Sequence, residues 1–492
     1  MPSNKSSNPG HQILAGTAYA VIGRWTIRVI GLVNIVILAR LLTPEDFGVV
    51  AMAAVAIGLL ETLMEFGVVN LVIRSKIRSD AFLDTALTLQ LLQGVVVGAL
   101  LIALAPVAAI YFSDSRIEAV LYVAAFTLVA GGARSIGVAL ARKDLHYAAD
   151  LRFAVFSRVA QFVITLLLVI YLQNYWGIII GFLVSAIFTT ILSYWMFPRR
   201  VRLSLSYWDT FFAFAKSIIP MSIARFLNDR IGTIIVGGTA DTHTLGIYNA
   251  SFDLSQMPSS EIIGPIERVL IPNYSKLIDD RKKLQDAYIF SIQLLLTIAA
   301  PLSIGLALVA DDFVLVLLGD QWVEAGGLVS WLAIYALATG SAQAMTGHIL
   351  IAIGKERLAS LLYWIRLLLL APFMIFFGVY HGVIEMIIAA TLLACAIVPF
   401  ALAISTRLID LGYLTAIKSI WRTAVAIICM ILCVLSVSSL LPVSSAGLVF
   451  QILAGGGMYT ATLYALWLAN GRPKGVERTL LDAAKSKLAS SR

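Results

Sequence analysis

The chain has 492 residues, of which 60% are hydrophobic and only 13% charged, with a net charge of +8 and a mean hydropathy of +0.91. A soluble domain carries roughly 25% charged residues and is less than half apolar, so no aqueous fold of this length hides so much hydrocarbon surface. Lipid must be the solvent, which excludes a soluble enzyme, and the basic surplus has to be tested against membrane topology before any nucleic acid is invoked.

The opening residues, MPSNKSSNPGHQ, are polar, and the first apolar run carries Arg24 and Arg28. That is a poor core for a cleavable signal, so an uncleaved, cytoplasmic N-terminus over 1–13 is expected. A crossing needs about 20 apolar residues. On that basis spans are predicted at 14–38, 47–70, 82–112, 118–140, 152–173, 176–197, 211–238 and 245–272. Further spans follow at 286–310, 328–353, 358–380, 383–405, 419–441 and 445–469. The result is an all-α integral membrane protein of about fourteen transmembrane helices. Charged residues interrupt the seventh and eighth runs, as a transporter lining its cavity with them would require.

The loops set the orientation. Every second one is basic: Arg74, Lys76 and Arg78; Arg142 and Lys143; Arg199, Arg200 and Arg202; Lys276 and Arg281 to Lys283; Lys355 and Arg357; Arg407 and Lys418. The opposite loops hold Arg40 and Arg116 against Glu45, Asp46, Asp241, Asp311, Asp312, Asp320 and Glu324. Basic residues stay on the cytoplasmic side, so both termini are expected in the cytoplasm, and the net charge needs no nucleic acid.

The chain also resembles itself. Phe47-Gly48-Val49-Val50-Ala51-Met52-Ala53 aligns with Leu245-Gly246-Ile247-Tyr248-Asn249-Ala250-Ser251, and NLVIRSK ending at Lys76 aligns with RVLIPNYSK ending at Lys276. Six spans separate the copies, so both halves enter the membrane in the same direction. The expected architecture is two parallel-repeat six-helix lobes around a central cavity, 14–200 and 201–410. Two additional spans over 411–470 and a basic cytoplasmic tail over 471–492 follow. Gly94/Gly98 and Gly177/Gly181 have the small-xxx-small spacing of close helix contacts.

Intramembrane charge points to the chemistry. An arginine at mid-membrane costs about 2.5–3.5 kcal/mol on insertion scales and needs a reason. Arg24, Arg28, Arg134, Arg225 and Arg366 fall between the bilayer centre and its cytoplasmic side, as do Arg158, Lys216, Arg230 and Arg268. Guanidinium groups around a cytoplasm-facing cavity suit a phosphate or diphosphate, which arginine grips bidentately. A structural reading stands beside it. Arg24 is level with Glu61, with Glu65 one turn deeper, Arg225 and Asp229 are one turn apart, and Arg230 matches the depth of Asp253. These are candidate internal pairs, and Arg158 and Lys216 can snorkel to the interface. Glu61, Glu65, Asp229, Asp253 and Glu261 are equally candidates for proton or sodium coupling.

No catalytic, metal or cofactor site is expected. The five histidines are scattered without ligand spacing, there is no phosphate-binding loop, and Cys395, Cys429 and Cys433 each sit in apolar stretches as small hydrophobes.

The stretch GRWTIRVIGLVNIVILARLLTPEDFGVVAMAAVAIGLLETLMEFGVVNLVIRSK, and within it LARLLTPEDFG at 38–48, resembles the start of the polysaccharide transporter family. These are Wzx-type flippases of the multidrug/oligosaccharidyl-lipid/polysaccharide exporter superfamily, and GTADTHTLGIYNAS and the hydropathy pattern extend the likeness along the chain. The resemblance implies flipping of undecaprenyl-diphosphate-linked oligosaccharide from the cytoplasmic to the periplasmic leaflet of a bacterial inner membrane, for exopolysaccharide or lipopolysaccharide assembly. It implies basic lumen residues, carried here onto Arg24, Arg28, Arg225 and Arg366. Membrane lipids, the lipid-linked oligosaccharide and the polysaccharide polymerase and export machinery are the expected partners. Two transport rivals share the superfamily: an ion-coupled drug/cation antiporter, which needs carboxylates to dominate its cavity, and a peptidoglycan lipid-precursor flippase. A scaffold for glycosyltransferases, using the basic tail, is the rival outside transport.

Overall fold

Apolar runs become helices because in hydrocarbon every backbone N–H and C=O must be satisfied within the protein. A computed structural model describes residues 26–63, 67–144, 146–473 and 475–479; within its helices, the side chains at 63, 217–218, 260–269 and 271–272 lie outside that description. All regular structure among the described residues is helical. The first half contains α1 (26–41), α2 (Pro44–Leu63), α3 (Val68–Arg74), α4 (Asp80–Tyr111), α5 (Arg116–Gly132), α6 (Gly137–Lys143), α7 (Tyr147–Leu172), α8 (Trp176–Met196) and α9 (Trp208–Thr239). There follow α10 (Thr242–Leu277), α11 (Arg281–Leu308), α12 (Ala310–Leu317), α13 (Ala325–Ala352), α14 (Glu356–Tyr380), α15 (Val383–Leu408), α16 (Tyr413–Ser419), α17 (Trp421–Ser438) and α18 (Ser445–Ala469).

Among the described residues, 9 helices are long and apolar enough to cross a membrane, or up to 11 spans if each of two bent pairs counts as one. The bent pairs are α5 with α6, at 53°, and the two parts of α9, at 47°. Pro220 stands at the α9 bend, where its ring removes the backbone donor that Lys216 would otherwise receive. Within the described residues the predicted runs fall on helical segments, the fourth of them broken between α5 and α6; residues 14–25 of the first run and 64–66 of the second lie outside the description, and α1, α2 and α10 do not meet that span criterion. α10 carries Asp253, Glu261, Glu267 and Arg268 along its length, which lowers its apolar content.

Contacts divide the chain into two units, Met1–Gly246 and Ile247–Arg492. In the first, α4 packs on α5, α5 on α8 and α8 on α7; in the second, α11 packs on α13, α13 on α15 and α15 on α14. Third span to fourth, fourth to sixth and sixth to fifth: the same order recurs in each unit. The α17–α18 hairpin leans on α11. α9, which the sequence repeat places at the head of the second set, packs in the first unit against α2 and α4.

Glycines create the tightest crossings. A Cβ on Gly94 of α4 would stand 2.7 Å from the Leu128 carbonyl oxygen and 3.2 Å from Gly132 Cα, both on α5. Gly177 and Gly181 bring α8 equally close to α7 at Val169 and Thr165. The aligned glycines of the repeat also explain themselves. A Cβ on Gly48 would overlap the Thr242 carbonyl oxygen, and one on Gly246 would overlap that of Pro44, all within the first unit. Overpacking such a crossing costs about 1–3 kcal/mol. Gly94→Val is therefore expected to lower the melting temperature of the purified protein. Gly131→Ala, where a Cβ meets nothing within 4 Å, is the control that does not lower it.

Each end of the first unit is tied by charge. At the end where α2 finishes and α4 begins, Arg199 meets Asp80 at 2.9 Å and Asp84 at 3.7 Å, while Arg78 meets Asp144 at 2.7 Å. At the other end, Asp114 in the α4–α5 loop receives Arg116 at 2.6 Å and the Thr242 hydroxyl at 2.9 Å. Burial alone pushes the Asp114 carboxyl up, but the hydrogen bonds from Arg116 and Thr242 more than offset it and hold the group below the usual carboxylate range. A depressed value means that this tie is fully present above the ordinary carboxylate pKa of about 4 and is lost as pH falls through the lowered folded value. Asp114→Asn is expected to cost about 1.5–3 kcal/mol at pH 7. The variant's melting temperature, measured by light scattering, should then fall less steeply below pH about 4 than the parent's.

Candidate functional site

The fourth predicted span is broken. α5 ends at Gly132 and α6 begins at Gly137, with Arg134 between them, so Gly131, Gly132 and Gly137 weaken the helix on both sides of the arginine. Non-helical backbone at membrane depth survives only where protein satisfies it. The Gln90 amide, from α4, donates to the carbonyls of Gly132 and Arg134, both at 3.2 Å. From α8, the Thr190 hydroxyl donates to the Ala130 carbonyl at 2.6 Å, and the Ser193 hydroxyl accepts from the Ser135 N–H at 3.0 Å. Ser135 in turn donates to the Phe197 carbonyl at 2.9 Å. The break is a fixed shape held from two sides.

Around it, inside the first unit, lie two cavities of about 590 Å³ and 430 Å³ that share Glu61, Thr127, Leu128, Arg134, Arg142 and Ala186 in their lining. The larger also takes in Ile27, Ser157, Arg158 and Gln161. Arg134 Nε and Ser157 Oγ are buried and make no hydrogen bond among the described residues. Arg158 donates to Gln161 Oε1 at 2.9 Å, and its guanidinium reaches α1, where Gly31 leaves room: a Cβ there would stand 3.1 Å away. Arg142 pairs with Asp150 at 2.9 Å at the cavity mouth, both side chains partly exposed. Arg134 and Arg142 feel each other's charge, as do Arg158 and Arg28. Three arginines and one carboxylate line the space, so its field favours an anion.

The other candidates are dispersed. Arg28 lies on α1 beside the cavity wall that Ile27 forms. Arg225 is exposed on α9, with its Nε 3.9 Å from Asp229, a long contact between groups 64% and 62% exposed. Arg366 lines a separate cavity in the second unit, and Asp253 is half-buried on α10 of that unit. Arg24 and Glu65, and the side chain of Glu261, lie outside the described residues. One contributor, Arg142, escaped the sequence reading, and another, Arg158, was grouped with the intramembrane basic residues but given snorkelling as its alternative. Arg142 reads as a loop charge and Arg158 as a snorkelling one, yet the bend at Arg134 and the room at Gly31 turn both toward the cavity. The signal was the cluster of glycines and serine from Gly131 to Gly137.

A multi-pass, all-helical membrane protein with a broken span beside a basic cavity has the build of a membrane transporter. Its fold is that of lipid II flippase MurJ in an inward closed conformation, with a TM-score of 0.75 at 14% identity, covering 93% of this chain and 100% of that one. The chain belongs to the family described as polysaccharide biosynthesis protein, which matches residues 37–326. A membrane protein encoded in the cps region of Klebsiella pneumoniae is 25% identical over 376 residues, 75% of this chain and 77% of that protein. The lipopolysaccharide biosynthesis protein WzxC of Escherichia coli is 25% identical over 320 residues, 63% of this chain and 64% of its own length.

Proposed function

We propose that the protein is a flippase that moves undecaprenyl-diphosphate-linked oligosaccharide from the cytoplasmic to the periplasmic leaflet by alternating access, for exopolysaccharide or lipopolysaccharide biosynthesis. The observation that carries this reading is the arginine-lined cavity at the α5–α6 break, in a chain of the polysaccharide biosynthesis family. A diphosphate carries several negative oxygens in a compact group, and Arg134, whose buried Nε makes no hydrogen bond among the described residues, can meet it with a planar fork. Arg142 and Arg158 add charge from the cavity lining, and Arg28, beside Arg158, extends the basic wall. Glu61 supplies the counter-charge when the cavity is empty and is the lining carboxylate best placed for ion coupling. Arg225 with Asp229 is a structural pair in this scheme.

The protein works in the bacterial inner membrane, with both termini in the cytoplasm. The cavity then lies toward the cytoplasmic half of its unit, between the end of α2 and the start of α7. A polysaccharide polymerase and export machinery take up the product on the far side. Deleting the gene and analysing the lipid extract tests the reading: a lipid-linked oligosaccharide is expected to accumulate and to disappear on complementation. Accumulation of a peptidoglycan lipid precursor would move the assignment to that pathway. Altered drug tolerance with an unchanged lipid profile would favour an antiporter.

A further inference from the structure

The second unit holds a cavity of its own. It measures about 190 Å³ and lies between α13, α14 and α15, with Gln343, Thr346, Tyr363 and Arg366 as its polar side chains in an otherwise hydrocarbon lining. It is larger than the apolar cavity of about 150 Å³ that takes up benzene. Arg366 sits about ten residues, roughly 15 Å, from the start of α14, inside the membrane-spanning part. It has no ion pair or hydrogen bond among the described residues. A guanidinium at that depth is costly unless an anion meets it.

The direction in which the cavity opens identifies the anion. Phe400 on its rim is 70% exposed, and Ile365 and Leu369 are 42% and 47% exposed. Apolar exposure of this kind on a membrane helix is contact with lipid, so the cavity is entered sideways from the bilayer. A helical side chain tilts toward its helix N-terminus, which carries Arg366 toward the end where Lys355, Arg357 and Arg407 lie exposed. That basic rim attracts anionic headgroups.

We propose that this cavity binds an anionic phospholipid of the surrounding bilayer, with its phosphate on Arg366 and the upper part of one acyl chain against the walls of α13 and α15. The site is independent of the arginine-lined cavity of the first unit and does not rest on the flippase assignment. The purified protein, in detergent, is titrated with phosphatidylglycerol or phosphatidylcholine, and bound lipid is counted by native mass spectrometry. The parent protein is expected to retain phosphatidylglycerol about tenfold more tightly, because the trimethylammonium of phosphatidylcholine offsets its phosphate charge and is repelled by Arg366 and the basic rim. Arg366→Gln should equalise the two lipids, Arg366→Lys should keep part of the preference, and Ala401→Phe, which fills the cavity, should lower retention of phosphatidylglycerol. Melting temperatures of the variants establish that they are folded, and the lysine variant decides the matter if the glutamine one is not. Equal retention of both lipids by the parent, or a preference that survives Arg366→Gln in the folded protein, would overturn the proposal. So would undecaprenyl phosphate displacing phosphatidylglycerol when present at a tenth of its concentration, because the cavity would then serve the carrier lipid.

Discussion

Arg134→Ala is expected to cut export of the lipid-linked oligosaccharide sharply while the protein still accumulates in the membrane. The loss should be about ten- to 150-fold, since a charge-assisted contact of about 1.5–3 kcal/mol disappears from the arginine that lines both cavities. The backbone at the break does not need this side chain. Gln90, Thr190 and Ser193 hold it through carbonyls, an N–H and hydroxyls alone. Arg134→Lys should retain partial activity, because lysine keeps the charge but loses the bidentate fork. The measurements are precursor accumulation in cells and the amount of protein in the membrane fraction. If Arg134→Ala instead depletes the protein, and Glu61→Gln restores it, the arginine is half of a structural pair and the substrate assignment fails.

The second large effect is all-or-none. A reporter active only outside the cytoplasm should be active when fused after Asp241 or Asp320 and silent after Arg200 or Lys283. Moving basic loops outward against the inside-negative potential is opposed at every crossing, so intermediate values are not expected. An active fusion after Arg200 would invert the orientation, and with it the side from which the arginine cavity is loaded.

The spans were legible because hydrocarbon enforces length and composition, and even the α17–α18 appendage announces itself as two apolar runs with no partner in the repeat. The repeat itself was legible from Gly48 and Gly246, which recur because each lets a backbone approach closer than any side chain would allow. The cavity was legible only in part. Arg134 was marked by its cost in lipid. Arg142 was not, because a continuous run over 118–140 hides the 53° bend that turns the following two turns of helix inward. The bend depends on Gln90, from another helix, meeting two carbonyls, and no local pattern encodes such a contact. Arg366 shows the same limit from the other side. Sequence grouped it with the remaining arginines by depth, whereas its placement depends on which helix face α13 and α15 leave open.

The stapled break also sets an order on how the protein is made. α5 has 17 residues, about 25 Å of helix, which is short of a hydrocarbon core about 30 Å thick. Emerging from the ribosome, it enters the membrane with the carbonyls of Ala130, Gly132 and Arg134 unmet. Gln90 is already in the bilayer and can cover two of them, but Thr190 and Ser193 belong to α8, which is synthesised about sixty residues later. The first unit therefore cannot close its cavity hairpin by hairpin. Its fourth crossing stays provisional until the sixth arrives, and a ribosome paused between the two would leave that segment exposed to quality-control proteases.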